Sequence, residues 1–274
     1  MHSEAMYSVL MAVYAGESPQ YLKHSMDSIF QQTVPPNDFV LVCDGNLTAG
    51  LDCVINDFQT KYPCVLNVLR MSENKGLAAA LNFGLQHCKY EIVARMDSDD
   101  IAFPNRIKKQ LNAIHDVDVL GSAVMEFQLI PGDTSTLRIT PSTQDEIIKF
   151  ARWRNPFNHP GVMFRKSMIF QVGGYENYSL CEDYHLWVKI LLAGGRVRNI
   201  SDPLVYMRVG GGLFKRRGGV KYLKSMLNFR RWLWKVGFIS RVDLCLAVIS
   251  HALFCLIPNK VRQFLYRNFL RMKY

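Results

Sequence analysis

Glu91-Ile92-Val93-Ala94-Arg95-Met96-Asp97-Ser98-Asp99-Asp100, EIVARMDSDD in one-letter code, decides how this chain folds. Glu91 to Met96 is a short, mostly apolar run of strand length, and it passes directly into acid. Three carboxylates within four positions repel one another unless a cation or broad solvation offsets them. Oxygen ligands at this density suit Mg²⁺ or Mn²⁺, ions that also bind diphosphate oxygens. The other reading of Asp97 to Asp100 is a polar turn capping a helix that starts near Pro104.

Working outward, the same arrangement recurs. Ser8 to Tyr14 (SVLMAVY) reads as a buried strand that stops at Ala15-Gly16-Glu17. Ser18-Pro19 then opens a helix whose Leu22, Met26, Ile29 and Phe30 share one face. Phe39 to Cys43 (FVLVC) is a second buried strand, ending on Asp44-Gly45. A helical stretch follows around Leu51 to Phe58, then an apolar run from Cys64 to Leu69. The Ala- and Leu-rich stretch from Leu77 to Cys88 is another helix. Strands alternating with helices at this spacing predict an α/β fold with a mostly parallel sheet flanked by helices. Ligands of such sheets bind beyond the carboxyl ends of the strands. Glu17, Asp44 and Asp97 to Asp100 all stand at those ends, so three separate stretches point at one crevice.

Three further constellations carry chemistry. Glu182-Asp183 opens a helical pattern containing Leu186, Ile190 and Leu191. Acids in a first helical turn are favoured by the helix dipole, and such a carboxylate is also a general base if an attacking hydroxyl lies within reach. His159 sits between Asn158 and Pro160 in NPFNHP, outside any helical pattern, in either a structural or a catalytic role. Asn74-Lys75-Gly76 precedes a helix; its backbone N–H groups and Lys75 either meet an anion or simply cap that helix.

The charge is divided unevenly. The formal net charge is +10, yet 15 of the 33 Lys and Arg and only one of the 23 acids lie from Arg208 onward. The first 207 residues are therefore −4 and the remainder +14. A strongly basic tail implies an anionic partner, a phosphorylated lipid surface or a nucleic acid. Seven cysteines without a CxxC pair suggest neither a disulfide framework nor a zinc site. The stretch from Met1 to Tyr7 carries Glu4 and no apolar core of signal-peptide length, which favours a reducing, cytosolic setting.

In order along the chain, SVLMAVY, LVCDGN, ENKGLAAALNFGL, ARMDSDD, NHPGVMFRK, GGY and CEDYHLW together resemble the family 2 inverting glycosyltransferases of the GT-A (Rossmann-like) fold. Within that family the motifs look most like bacterial O-antigen and exopolysaccharide (amylovoran-type) biosynthesis enzymes. The resemblance implies that Asp44 hydrogen-bonds the uracil ring and that Glu17 lies beside the nucleoside. It implies that Asp97 and Asp99 form a DxD pair, with Asp99 the direct metal ligand and Asp100 extending the cluster. It makes Asp183 of the Glu182-Asp183 pair the catalytic base, and puts His159 near the donor diphosphate or the acceptor. Lys75 joins the donor-binding set. The cofactor expected is Mn²⁺ or Mg²⁺, and the donor a UDP-sugar. The implied reaction moves a hexose, with UDP-glucose or UDP-galactose favoured, onto a lipid-diphosphate-linked sugar such as GlcNAc-diphosphoundecaprenol. The product is a β-linkage in O-antigen or exopolysaccharide repeat-unit assembly.

The expected organisation is a glycosyltransferase domain over 1–207, with a nucleotide-binding half to about 102 and an acceptor half from about 103, followed by a basic helical tail over 208–274. From Phe214 to Phe238 the tail interleaves Lys215, Arg216, Arg217, Lys221, Lys224, Arg230, Arg231 and Lys235 with Trp232 and Trp234. That composition suits a helix at a headgroup interface. Leu244 to Ile257 is uncharged for 14 residues, short of the roughly 18 that a spanning helix needs, so it either lies in the interface or packs on the domain. A peripheral enzyme on the cytoplasmic face of the bacterial inner membrane is expected, with a nucleotide sugar and a lipid-linked glycan as partners and no nucleic acid. The rival readings are a sugar nucleotidyltransferase and a basic nucleic-acid-binding protein. The first needs a Gly-rich basic loop after the first strand, where this chain has acidic Ala15-Gly16-Glu17; the second lacks a helix-turn-helix, zinc or RNP signature.

Overall fold

The computed structural model describes residues 5–178, 180–210, 219–256 and 272–273. The alternating apolar runs fold as expected. The order is β1 (Tyr7–Tyr14), α1 (Pro19–Phe30), β2 (Asp38–Asp44), α2 (Ala49–Lys61), β3 (Leu66–Arg70), α3 (Leu77–His87) and β4 (Ile92–Asp97). Each of β1, β2 and β3 is followed by a helix, and β1, β2, β3 and β4 are parallel in the order β3-β2-β1-β4. Strand periodicity divides β1 between two cores. Val9, Met11 and Val13 meet Leu22, Met26 and Ile29 of α1 and Leu51, Ile55 and Phe58 of α2 on one side. Leu10 meets Ala80, Leu81 and Leu85 of α3 on the other.

The strand order reverses between β2 and β4, on either side of β1. In the register, Tyr14 lies opposite Asp44 and Ala12 opposite Asp97, so the ends of β2 and β4 flank the end of β1. This is the crevice position of an open parallel sheet. At the end of β2 the chain turns at Gly45, whose φ is +82°; a Cβ there would lie 2.7 Å from the backbone nitrogen of Asn74. Only glycine tolerates both the left-handed conformation and that approach.

Beyond β4 come β5 (Ile101–Ala102), α4 (Arg106–Leu111), β6 (Val119–Phe127), β7 (Thr136–Arg138) and α5 (Gln144–Ala151). A 3₁₀ turn (His159–Gly161), β8 (Met163–Arg165), α6 (Lys166–Gln171), α7 (Glu182–Leu192) and β9 (Val197–Arg208) complete the sheet. β8 is antiparallel to β4 and β6, and β9 runs parallel to β6. The helix anticipated near Pro104 begins at Arg106.

Two helices follow, α8 (Gly219–Lys235) and α9 (Arg241–Leu256), and a short β10 (Met272–Lys273) pairs with β7. Among the described residues no helix is long and apolar enough to cross a membrane. The division expected at 207/208 falls one residue before the end of β9. Met226, Phe229 and Leu233 of α8 are buried against Ala151, Cys181, Tyr184 and Val188. Burying such side chains contributes roughly 1.5–3 kcal/mol each.

Two residues read as part of the basic, aromatic face have other positions. Arg230 is buried and donates to the carbonyls of Arg152 (2.7 Å) and Trp153 (2.5 Å), tying α8 to the end of α5. Trp232 is half-buried among Tyr178, His185 and Phe229. Helical periodicity turned these residues inward, because α8 has an apolar stripe to bury. Lys215, Arg216 and Arg217 lie outside the described residues.

Candidate active site

The acidic turn after β4 is built by strand geometry. Because β4 alternates, Arg95 and Asp97 project to the same side, and the Arg95 guanidinium forms an ion pair with the Asp97 carboxylate. Ser25 of α1 donates its hydroxyl to the Asp97 carbonyl at 2.7 Å, and Ser98 donates its own to Glu17 at 2.9 Å. Glu17, expected in this crevice from its place after β1, is thereby held against the turn. Asp100 is buried and accepts the backbone N–H of Arg208 at 2.6 Å. The Arg208 guanidinium donates to the Asp99 carbonyl at 3.0 Å and lies 3.7 Å above the Tyr21 ring.

One carboxylate oxygen from each of Asp97, Asp99 and Asp100 falls within 4.8 Å of the others. Burial, with Asp97 and Glu17 beside it, pushes the Asp99 carboxyl up to about 7. Burial and the Asp99 and Asp97 charges raise Asp100 well above the usual carboxylate range. The cluster holds more negative charge than its surroundings stabilise. An oxygen-only donor set with that imbalance fits a hard divalent cation.

Asp44 has a local task. Its two carboxylate oxygens accept the backbone N–H groups of Lys75 (2.7 Å) and Gly76 (2.9 Å), and Asn74 donates its side-chain amide to the Asp44 carbonyl at 3.2 Å. The amides ahead of α3 do meet an anion, and it is this carboxylate. The Lys75 side chain is exposed, with Nζ 3.3 Å from Glu73.

The second acidic pair stands at the N-terminus of α7. The chain arrives through Gly173 and Gly174, at φ +80° and +72°; a Cβ on Gly174 would lie 2.5 Å from the Asn82 side chain. Asn82 clamps the next residue from both sides, accepting from Tyr175 N at 2.8 Å and donating to Tyr175 O at 2.7 Å. Asp183 accepts the side-chain amide of Asn155 at 2.6 Å and the backbone N–H of Tyr184 at 2.8 Å. Burial outweighs these bonds and the nearby Arg95 and Arg138 charges, so the Asp183 carboxyl stays above its ordinary range. Glu182 is raised as well, chiefly by burial. A carboxylate made more basic in this way is the better proton acceptor.

His159 lies on the 3₁₀ turn with Nε2 3.1 Å from the Tyr175 hydroxyl. Burial, then Arg95, holds its pKa well below the usual value, so the ring is neutral. Sequence reading gave no role to Arg95 or Arg208, and singled out the NPFNHP and GGY stretches without assigning Asn155 or Tyr175 a part in the site. Arg95 had a legible signal, a cation inside an apolar strand on the same face as Asp97. The rest contact the site across gaps that carry no local pattern.

A charged crevice at the strand ends, with a basic carboxylate on a facing helix end, suits transfer of a group away from an anionic leaving group. The family model described as Glycosyl transferase family 2 matches residues 8–176, from β1 past the 3₁₀ turn to Glu176. The chain belongs to that family. As a family 2 glycosyltransferase it has relatives along nearly its whole length. It is 39% identical over 270 residues to the Escherichia coli UDP-Gal:alpha-D-GlcNAc-diphosphoundecaprenol beta-1,3-galactosyltransferase, covering 97% of this chain and 96% of that one. It is 36% identical over 269 residues to the amylovoran biosynthesis glycosyltransferase AmsE of Erwinia amylovora, covering 96% and 98%. Among solved structures, the mannosyltransferase PcManGT of Pyrobaculum calidifontis, in complex with GDP-Man and Mn²⁺, superposes with a TM-score of 0.65 at 17% identity, covering 95% of this chain and 72% of that one. S. aureus TarS in complex with UDP-GlcNAc gives 0.65 at 19% identity, covering 90% and 71%. These two likenesses establish the fold, a GT-A-type sheet flanked by helices.

Proposed function

We propose that this enzyme transfers a hexose, galactose before glucose, from its UDP-sugar to a sugar carried on a lipid diphosphate such as GlcNAc-diphosphoundecaprenol, forming a β-linkage in bacterial O-antigen or exopolysaccharide assembly. The observation that carries the reaction type is the pair of facing acid groups, one a charge-surplus cluster at the strand ends and the other a basic carboxylate on α7. The galactosyltransferase relative, similar along nearly the whole chain, supports the donor and acceptor.

Asp97, Asp99 and Asp100 would hold Mn²⁺ or Mg²⁺, with Asp99 a direct ligand. A divalent cation there offsets the charge that develops on a departing nucleoside diphosphate. Asp44 braces the loop before α3 beside the nucleotide, Glu17 stands by the nucleoside, and Lys75 is the nearby basic side chain. Asp183, oriented by Asn155, accepts the proton of the acceptor hydroxyl, with Glu182 beside it. Displacement on the face opposite the leaving group inverts the anomeric centre, so an α-linked donor yields a β-linked product. The neutral His159, fixed by Tyr175, offers a hydrogen bond near the reacting groups without adding charge.

The catalytic domain would work with a membrane-facing helical appendage, on the cytoplasmic face of the inner membrane. Lys224, Arg231, Lys235 and Arg241 are exposed on α8 and at the start of α9. Val242, Leu246 and Ile249 form an exposed apolar row on α9. Near an anionic leaflet each basic residue contributes on the order of 1 kcal/mol.

The test is transfer from a panel of radiolabelled UDP-sugars to synthetic GlcNAc-diphosphate-lipids, with Mn²⁺ or with excess chelator. Transfer from UDP-galactose that stops with chelator is expected; full activity in chelator, or transfer to none of these acceptors, overturns the proposal. Changing Lys224, Arg231, Lys235 and Arg241 to Gln should lower affinity for anionic vesicles and slow transfer to long-chain acceptors, while short soluble acceptors react normally. Equal rates on both acceptors would refute the membrane role.

A further inference from the structure

Arg95 is a buried charge that its place in the strand does not account for. Its side chain is 1% exposed, yet among the described residues its one side-chain partner is Asp97. Its Nε and Nη1 are buried and have no hydrogen-bond partner there. A buried guanidinium with two donors unmet is costly, and a strand interior offers Leu or Val as the inexpensive alternative. Structural need does not account for it. The neighbouring buried arginine, Arg106, does fill its place in the ordinary way, donating to Gln110 at 2.9 Å and to the Arg95 carbonyl at 2.7 Å.

The surroundings of Arg95 are what set it apart. On its strand it faces Asp97, the first acid of the cation-binding turn. Its charge also acts on Asp99 and Asp100 on that side, and on Glu182, Asp183, His159 and Tyr175 on the α7 side.

We infer that Arg95 is a positioning residue of the transfer reaction: it pins the Asp97 carboxylate for the divalent cation and supplies the buried positive charge that faces the Glu182–Asp183 pair. The inference rests on the proposed glycosyl transfer and assigns one residue to couple its two halves. A single contact does the pinning: Nη2 donates to the Asp97 carboxylate while Nε and Nη1 find no partner among the described residues, and the shorter, compact ammonium of a lysine does not reach that oxygen with the same direction. The charge does the rest. Among the described residues, the charged or titratable groups that act on Asp183 include Glu182, Tyr175 and Tyr184 together with Arg95 and Arg138, so loss of Arg95 removes a nearby cation.

Two variants separate the Nη2 contact from the charge. Arg95→Lys keeps the charge and loses the reach and direction of that contact; Arg95→Met keeps the approximate volume and loses both. Mn²⁺ affinity is read by calorimetry on full-length protein in the presence of UDP, and the acid limb of the kcat/KM profile by transfer. For Arg95→Lys, Mn²⁺ should bind about tenfold more weakly, the loss of one charge-assisted hydrogen bond, with the acid limb where the wild type has it. For Arg95→Met the acid limb should move up by about one pH unit, since the base loses a favourable cation. Unchanged Mn²⁺ affinity in Arg95→Lys overturns the pin. A uniform fall in kcat with an unmoved limb in Arg95→Met overturns the electrostatic role and leaves Arg95 structural. If Arg95→Met does not fold, Arg95→Lys decides: a displaced acid limb with the charge still present overturns the coupling. If the wild type transfers no sugar at all, the reaction proposal fails, and the calorimetry on Arg95→Lys still reads the pin.

Discussion

The two acid groups of the crevice are alike in composition and opposite in construction. Asp97, Asp99 and Asp100 stand at the end of a strand, close together, with one buried arginine among them. Glu182 and Asp183 stand on the first turn of a helix, where Asp183 takes hydrogen bonds from the Asn155 side chain and the Tyr184 backbone. The first group carries a charge surplus that repulsion makes unfavourable until a cation arrives. The second is sustained by neutral donors and kept basic by burial. The proposed transfer needs a cation at one end and a proton acceptor at the other, and the difference between the two groups lies in what surrounds each carboxylate.

That contrast can be broken at its strongest point first. Asp99→Ala removes a proposed cation ligand, and an ion stabilising the leaving group by several kcal/mol implies a loss of about 10³-fold or more in kcat. The same variant relieves repulsion in the metal-free protein, so its thermal midpoint without Mn²⁺ should equal or exceed that of the wild type. A lower midpoint would mean that Asp99 holds the fold together and the charge-surplus account is wrong.

On the other side, Asp183→Asn keeps shape and removes proton acceptance. Rate should fall by about 10²–10⁴ while UDP affinity stays constant. An active Asp183→Asn together with an inactive Glu182→Gln would transfer the role to the neighbouring carboxylate. Asn155→Leu should act more mildly, about 10- to 10²-fold in kcat with KM for the donor unchanged, because one hydrogen bond to a charged group is lost. A donor KM that rises with normal kcat would assign Asn155 to binding.

The smallest effect concerns the helix that carries the base. His185 of α7 is buried against Tyr178 and Trp232, and burial lowers its pKa to about 4. Its folded pKa lies below its unfolded value near 6.5, so the unfolded chain takes up the proton first. Stability from this group is complete above about pH 6.5 and is lost as pH falls toward 4, at no more than about 1.4 kcal/mol per pH unit. His185→Phe should flatten the denaturation midpoint across that window. An identical slope in the variant would place the acid sensitivity in another group, with the neutral His159 next to be tested.

Much of this site could be read along the chain. Asp97, Asp99, Asp100, Glu17 and Asp44 were found because each follows an apolar run of strand length, and strand ends of a parallel sheet converge. Glu182 and Asp183 stood out by their place at the head of a helical pattern. Arg95 was available to the same logic and went unused, since an arginine two positions before Asp97 must share its face. Asn155, Tyr175 and Arg208 were out of reach: Asn155 meets Asp183 from 28 positions away, and Arg208 meets Asp100 from 108.

Local periodicity is what a sequence by itself determines, because the apolar face of a helix or strand and the residue that ends it follow from neighbours a few positions apart. It therefore specified β1 through β4, the three helices between them, and the acids at the strand ends. Which basic and aromatic residues of α8 turn inward was settled only by packing: Arg230 and Trp232 look like their exposed neighbours along the chain, and differ because the carbonyls after α5 receive Arg230 and the rings of Tyr178 and His185 receive Trp232. The same holds for function. Carboxylates of one type stand crowded among like charges at the end of β4 and among neutral donors at the head of α7, because only the folded chain decides how much water, and which partners, each oxygen keeps.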